Sequence, residues 1–439
     1  MTELLGRYFT RLDRRQPWRW QGKVLQSVGQ TIESAGPLAS VGECCEIRGR
    51  DGRLHLAEVI GFRGSNLLSM PVETSEGIRF GDTVSSFGAG PEIDVGPALM
   101  GRVLNGLGEP IDGWKLRPRA EGKPVPLEAM VRPPLDRVPI RAALGTGIRA
   151  IDALLTVGRG QRVGIFGGSG VGKSTLIGMM TRNTEADMTI VGLVGERGRE
   201  VGEFLEDALG VEGRARSVVV VSTSDQSPLL RMRAALGATT IAEFFAAQGK
   251  HVLLVLDSLT RFAMAAREVG LAAGEPPTNK GYTPSVFTRL ARLIERSGNF
   301  RTGSITAFYT VLMEGDDQQD PLVDAVRALL DGHVVLSRTL AAEGWYPPIA
   351  VLDSISRLMP AVAREGHREN AALLRRLMAI YARSEDLVRI GAYKAGSDAD
   401  LDRALSARAA VRDFLVQPAR EQPGFAQSVE RLAALAREI

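Results

Sequence analysis

The stretch Val163-Gly-Ile-Phe-Gly-Gly-Ser-Gly-Val-Gly-Lys-Ser-Thr175 sets the fold class. Its first four residues form an apolar run without polar alternation, as a strand covered on both faces requires. Gly167, Gly168, Ser169, Gly170, Val171, Gly172, Lys173 and Ser174 then match G-x-x-x-x-G-K-[ST], and Thr175 to Met180 continue at helical spacing. In such a loop the glycines let backbone N–H groups close around phosphates. The lysine neutralises the terminal ones, and the serine hydroxyl suits Mg2+ at the positive end of a helix.

Working outward, further continuous apolar runs occur at Thr189–Val194, Val218–Val221, Val252–Leu256 and Ile305–Tyr309, separated by longer helix-patterned stretches. That alternation predicts an α/β domain built on a buried parallel sheet. Asp257 ends the run Leu253-Leu-Val-Leu-Asp257 at a strand's carboxyl edge, where open sheets bind ligands. An acid there is often only a helix cap; paired with the loop, it is a candidate to hold Mg2+ through water. Glu196, in Gly195-Glu-Arg-Gly-Arg-Glu200, follows the run ending near Val194 and is a candidate to orient a water for attack on the terminal phosphate.

The flanking text differs in style. Residues 1–22 place Leu5, Tyr8, Phe9 and Leu12 at helical spacing among five arginines, a basic amphipathic helix that either lies on its own protein or docks on a partner helix or an anionic membrane. Residues 23–92 hold short apolar runs broken by glycine, with Asp51-Gly52 as a hairpin signal, and predict a small antiparallel barrel. Gly-Pro-rich text from Gly96 to Pro139 reads as an irregular connection, leaving 93–358 to the sheet domain. From Met359 the runs stop, and Leu373, Leu374, Leu377, Ile380 and Tyr381 begin a helical pattern that predicts a C-terminal bundle over 359–439.

Composition narrows the function. The 439 residues allow several domains and a large core, and 54 basic against 51 acidic residues make a net +3, too little for a polyanion-binding surface spread over the whole chain. The barrel text alone carries six basic and nine acidic residues and three aromatics, Phe62, Phe80 and Phe87. That argues against a stacking platform for single-stranded nucleic acid. Cys44 and Cys45 are adjacent, which excludes a disulfide framework and suits a reducing cytosol. No run reaches the roughly 18–20 apolar residues that a membrane span needs.

Gly195-Glu-Arg-Gly-Arg-Glu200, Leu256-Asp-Ser-Leu-Thr-Arg261, Gly274-Glu-Pro-Pro-Thr-Asn-Lys-Gly-Tyr282, Gly303-Ser-Ile-Thr306 and Leu352-Asp-Ser-Ile-Ser-Arg357 resemble, in order and spacing, the catalytic subunits of the rotary ATPase superfamily. Thr306–Asp320 and Ile390–Ser397 resemble its type III protein export ATPases, over nearly the whole chain from residue 23. Leu67-Leu-Ser-Met-Pro71 and Gly96–Leu104 are similar to the flagellar branch, with the injectisome ATPases as near paralogues. The resemblance implies an N-terminal barrel, a RecA-like core and a C-terminal helical bundle. It implies an ATPase using Mg2+, assembled as a homohexamer, which energises flagellar protein export. A stator-like regulator at the N-terminus, a central stalk, the export gate, chaperones and export substrates are the implied partners, with peripheral association at the cytoplasmic face of the inner membrane. It also implies that Arg197 and Arg261 approach the terminal phosphate, that Tyr346 stacks on the adenine, and that Arg357 is an arginine finger supplied to the neighbouring subunit. Phe414-Leu-Val-Gln-Pro-Ala419 retains only part of the aromatic adenine wall of the synthase subunits.

Two other classes compete. An RNA translocase of the transcription-terminator type couples a barrel to the same loop, but needs a basic, aromatic barrel rather than this acidic one. A non-hydrolysing ring subunit would not require both Lys173 and Glu196.

Overall fold

The computed structural model describes residues 20–113, 122–128, 131–168, 170–313 and 320–439. The basic helix expected in residues 1–22 therefore lies almost wholly outside the described residues, as does Ser169. Strand β1 (Gln21–Val28) already belongs to the barrel, two residues ahead of the expected boundary.

With β2 (Thr31–Ala35), β3 (Cys44–Arg48), β4 (Leu54–Arg63), β5 (Asn66–Pro71) and β6 (Thr83–Ser86), β1 closes an antiparallel barrel in the order β1-β2-β5-β4-β3-β6. The Asp51-Gly52 turn joins β3 to β4, with Arg48 opposite Leu54. Alternate residues point inward, so Val24, Ile32, Cys45, Ile47, Ala57, Val59, Leu67 and Val84 fill the interior. Both cysteines are buried and free. Closure removes the sheet edges that a small β domain would otherwise expose.

The central sheet is built from β10 (Arg162–Gly167), β11 (Met188–Glu196), β12 (Ser217–Thr223), β13 (His251–Asp257), β15 (Ser304–Leu312) and β16 (Gly332–Val335). The order is β16-β10-β15-β13-β11-β12, all parallel. Every strand predicted from an apolar run lies in it. Successive residues face opposite cores: Leu254 and Leu256 pack with the helices Pro228–Ala246, Leu259–Ala272 and Pro284–Glu295. Leu253 and Val255 pack with the helix Lys173–Asn183 and the C-terminal helices. Two-sided burial explains why these strands read as unbroken Val, Ile and Leu.

The Gly-Pro-rich segment is more ordered than its composition suggests. Before it, β7 (Glu92–Val95) pairs with β9 (Lys123–Pro126) across the segment. Within it, β8 (Val103–Asn105) adds a parallel edge strand beside β12. The edge strand is fixed by side chains rather than by an apolar run: Asp112 accepts hydrogen bonds from Arg102 Nε at 2.8 Å and from the backbone N–H of Val103 at 3.1 Å. At the other edge, the two-residue β17 (Ile355–Ser356) runs antiparallel to β16, and β14 (Gly298–Asn299) pairs with β15. Beyond Met359 the helices Glu365–Arg389, Ala399–Leu415 and Phe425–Glu438 pack together and against the helix Arg149–Leu154.

Candidate active site

The carboxyl ends of β10, β11 and β13 converge on one point. β10 runs into the phosphate loop, and Gly172 adopts φ +90° immediately before the helix Lys173–Asn183, a conformation that favours glycine. Lys173 Nζ lies 2.8 Å from Asp257 Oδ1 and 4.0 Å from Glu196 Oε1. Asp257 also accepts from Thr310 Oγ1 at 2.6 Å. The helix after β13 is capped by Ser258, whose hydroxyl accepts from Arg261 N at 3.3 Å. Asp257 is therefore not that cap, and its buried carboxylate faces the loop lysine.

Glu196 owes its direction to a bulge. In the β11–β12 pairing Val194 faces Ser222 and Glu196 faces Thr223, so Gly195 is the extra residue. It takes φ +70° and re-aims the side chain that follows, as such bulges do. A Cβ built on Gly195 would lie 3.0 Å from Arg261 Cβ, which places Arg261 against the bulge. Burial, then the Asp257 carboxylate, push Glu196 up to about 7, against the opposing pull of Lys173. Its Oε1 is buried without a hydrogen-bond partner among the described residues, and so is Arg261 Nε. For Lys173 burial disfavours the charge, but Asp257 and Glu196 outweigh it and hold the ammonium above its ordinary range.

Buried Asp257 and half-buried Glu196 share one lysine, beside exposed Ser174 and Thr175. This all-oxygen donor set fits a hard cation. With only Ser174 and Asp257 as candidate ligands, it fits Mg2+, which keeps most of its shell for substrate phosphates and water, better than a protein-caged metal.

From Ser174 and Thr175 a cleft of about 710 Å3, lined by Glu200, Glu206 and Asp207 as well as Arg182, extends past Phe204 to Arg420 and Gln422. Tyr346, half exposed, borders the loop: its Cε1 is 3.7 Å from where a Gly172 Cβ would be. The Phe414 ring is buried beneath the Arg149 guanidinium, 5.9 Å from its centroid, as part of the core rather than as an open stacking face.

Two of the arginines lie apart from Lys173. Arg197 is largely in solvent and pairs with Glu200 at 3.7 Å. Arg357 is exposed beyond β17, its N–H bonded to the Asp331 carbonyl. Leu336, whose N–H bonds the Phe166 carbonyl at the foot of the loop, is five residues after Asp331, so at ~3.3 Å per residue the Arg357 backbone lies roughly 16 Å from that point. Sequence reasoning did not single out Thr310, nor Arg338, whose Nη2 lies 2.5 Å from where a Gly168 Cβ would be. Thr310 lies within the quoted stretch Thr306–Asp320 without standing out in it, and both residues are brought to the site by sheet order.

Comparison with known proteins agrees with this architecture. Residues 147–356 match the nucleotide-binding domain of the ATP synthase alpha/beta family, and residues 24–88 match its beta-barrel domain. Residues 363–434 match the T3SS EscN ATPase C-terminal domain. The flagellum-specific ATP synthase of Treponema pallidum is 51% identical over 99% of this chain and 97% of its own length. The type 3 secretion system ATPase of Xanthomonas euvesicatoria is 49% identical, over 95% and 94% respectively. The assembled ATPase EscN of the enteropathogenic E. coli type III secretion system superposes with a TM-score of 0.89 at 43% identity, covering 94% of this chain and all of EscN. EscN has also been solved in complex with its central stalk EscO, and that structure superposes with a TM-score of 0.87. On these matches the chain belongs to the ATP synthase alpha/beta family, among the flagellum-specific ATP synthases and type 3 secretion system ATPases.

Proposed function

We propose that this chain is a Mg2+-dependent ATPase that hydrolyses ATP to ADP and phosphate to energise flagellar protein export, working as a homohexameric ring. The observation that carries this reading is the placement of Lys173 between Asp257 and Glu196 at the mouth of the phosphate loop. A lysine held by two carboxylates is ready to exchange one of them for a phosphate.

Lys173 and the N–H groups of Gly167–Thr175 bind the phosphates, while Ser174 and Asp257 are the side chains that would hold Mg2+. Bound Mg2+ would neutralise charge on the β- and γ-phosphate oxygens. Glu196 accepts a hydrogen bond from the attacking water and takes its proton, which requires the ionised carboxylate. Arg261, and Arg197 after a side-chain rotation, face the charge that develops on the terminal phosphate. Tyr346 stacks on the adenine, and Arg357 acts in the next subunit's site. The ring contacts a central stalk, a stator-like regulator at the N-terminus, and the export gate with its chaperones and substrates. It sits peripherally at the cytoplasmic face of the inner membrane; no helix among the described residues is long and apolar enough to cross one.

Service in an injectisome is the second reading, favoured by the match of residues 363–434 to the EscN C-terminal domain. Phosphate release from the purified chain with Mg2+ and ATP tests the reading directly. Turnover that requires protein assembly supports it, and absence of phosphate release from assembled rings overturns it.

A further inference from the structure

Ala419 and Arg420, in the segment 414–421, line the cleft that starts at Ser174, yet the segment belongs to the C-terminal helical region, and something must hold it to the sheet domain. Its anchor is buried. Gln417, 2% exposed, donates from Nε2 to the Gly147 carbonyl at 2.8 Å and accepts from the Arg149 N–H at 2.8 Å. The Arg149 side chain, also almost fully buried, donates to the carbonyls of Phe414 (2.8 Å) and Val416 (3.3 Å) and pairs with Glu421. The far end is tied to the phosphate-loop helix, where Arg182 reaches the Ala419 carbonyl at 2.8 Å and Asn183 reaches that of Glu421 at 3.2 Å.

Gln417 has a second attachment. Its backbone N–H donates to the Tyr346 carbonyl at 2.8 Å, and the Tyr346 ring borders Gly172. A continuous path therefore leads from Arg149 and Gly147 through Gln417 to the aromatic beside the phosphate loop. A buried, multiply bonded guanidinium is costly to leave unsatisfied, so the arrangement holds one geometry.

We propose that Arg149 and Gln417 are positioning residues that set the base-binding end of the site, so that affinity for the nucleoside depends on how the C-terminal helices are fastened to the sheet domain. This rests on the reading of Tyr346 as the base-stacking residue. The phosphate end depends less on the clamp, because Asp257 and Glu196 are carried by strands and Lys173 begins its helix at the end opposite Arg182 and Asn183, where the segment is tied. Losing the clamp therefore weakens recognition of the base and leaves recognition of phosphate nearly intact.

Calorimetric titration of the full chain with Mg–ADP and with Mg–pyrophosphate separates the two ends. Gln417→Ala should bind ADP about tenfold more weakly, the effect of one or two lost buried hydrogen bonds, while pyrophosphate affinity stays within about twofold. Arg149→Lys keeps the charge but not the fork, and should fall between Gln417→Ala and the parent. In turnover, Gln417→Ala should raise KM far more than it lowers kcat. Parental ADP affinity in Gln417→Ala, or equal loss of ADP and pyrophosphate binding, overturns the proposal. Should Arg149→Lys fail to fold, Gln417→Ala decides alone. Tyr346→Ala serves as the control. If it weakens ADP binding while the clamp variants do not, only the clamp is wrong; if it too binds ADP normally, the base-stacking reading and the clamp fall together.

Discussion

Lys173 faces two carboxylates, Asp257 and Glu196, with the Arg261 guanidinium near enough to oppose its charge. A polyphosphate brings further negative charge beside Asp257 and Glu196, which bound Mg2+ would offset. Lys173→Ala removes the fixed positive charge and leaves Asp257 and Glu196 facing one another, so nucleotide affinity should fall by at least about a hundredfold in a titration. Glu196→Gln keeps the shape and removes the base. It should bind ATP near parental strength and lose at least about a thousandfold in kcat; turnover at the parental rate contradicts the role given to Glu196. The pH profile carries a sign. Glu196 is pushed up to about 7 by burial and by Asp257, and only its ionised form accepts the water proton. In the free enzyme kcat/KM should therefore rise as pH increases through about 7, whereas a profile flat between roughly pH 5.5 and 8 contradicts the assignment. Lys173 and Ser174 were legible from local spacing alone, because the loop motif is contiguous. Thr310 and Arg338 were not, because they reach the site only through strand order.

At the scale of elements, the bulge at Gly195 links fold to chemistry. Gly195→Ala forces a side chain into φ +70° and against Arg261. It should destabilise the chain by about 1–2 kcal/mol in denaturant unfolding, and its kcat should fall further than that loss of stability explains. A variant with unchanged kcat would mean that Glu196 does not depend on the bulge. The central strands were readable because burial on both faces leaves unbroken apolar runs. The edge strands β8 and β17 were not, being three and two residues long and specified by ion pairs and by register with β12 and β16. The barrel was readable from its glycine-broken apolar runs and its Asp51-Gly52 turn. Since β1 begins at Gln21, removing residues 1–19 leaves every barrel strand in place. The truncated chain should stay folded and hydrolyse ATP yet no longer co-purify with a stator-like partner; full-strength co-purification contradicts the docking role.

For the whole molecule, the decisive feature is the distance between Arg357 and its own loop. Arg357 lies beyond β17, at the opposite end of β16 from the phosphate loop, which supports the proposal that it serves the site of a neighbouring subunit. A guanidinium supplied in trans contributes on the order of a thousandfold or more to phosphoryl transfer, and on that proposal turnover would be a property of the ring. Mixing Arg357→Ala chains with Lys173→Ala chains tests this most directly. Each variant alone should be inactive, while a ring assembled from both contains interfaces where an intact Lys173 meets an intact Arg357. With equal amounts and random order in a closed ring, about a quarter of the interfaces are complete, and activity should return toward about a quarter of the parental value if the sites act independently. Mixed rings that form and remain inactive, or Arg357→Ala rings that turn over at the parental rate, would contradict a site shared between neighbouring subunits.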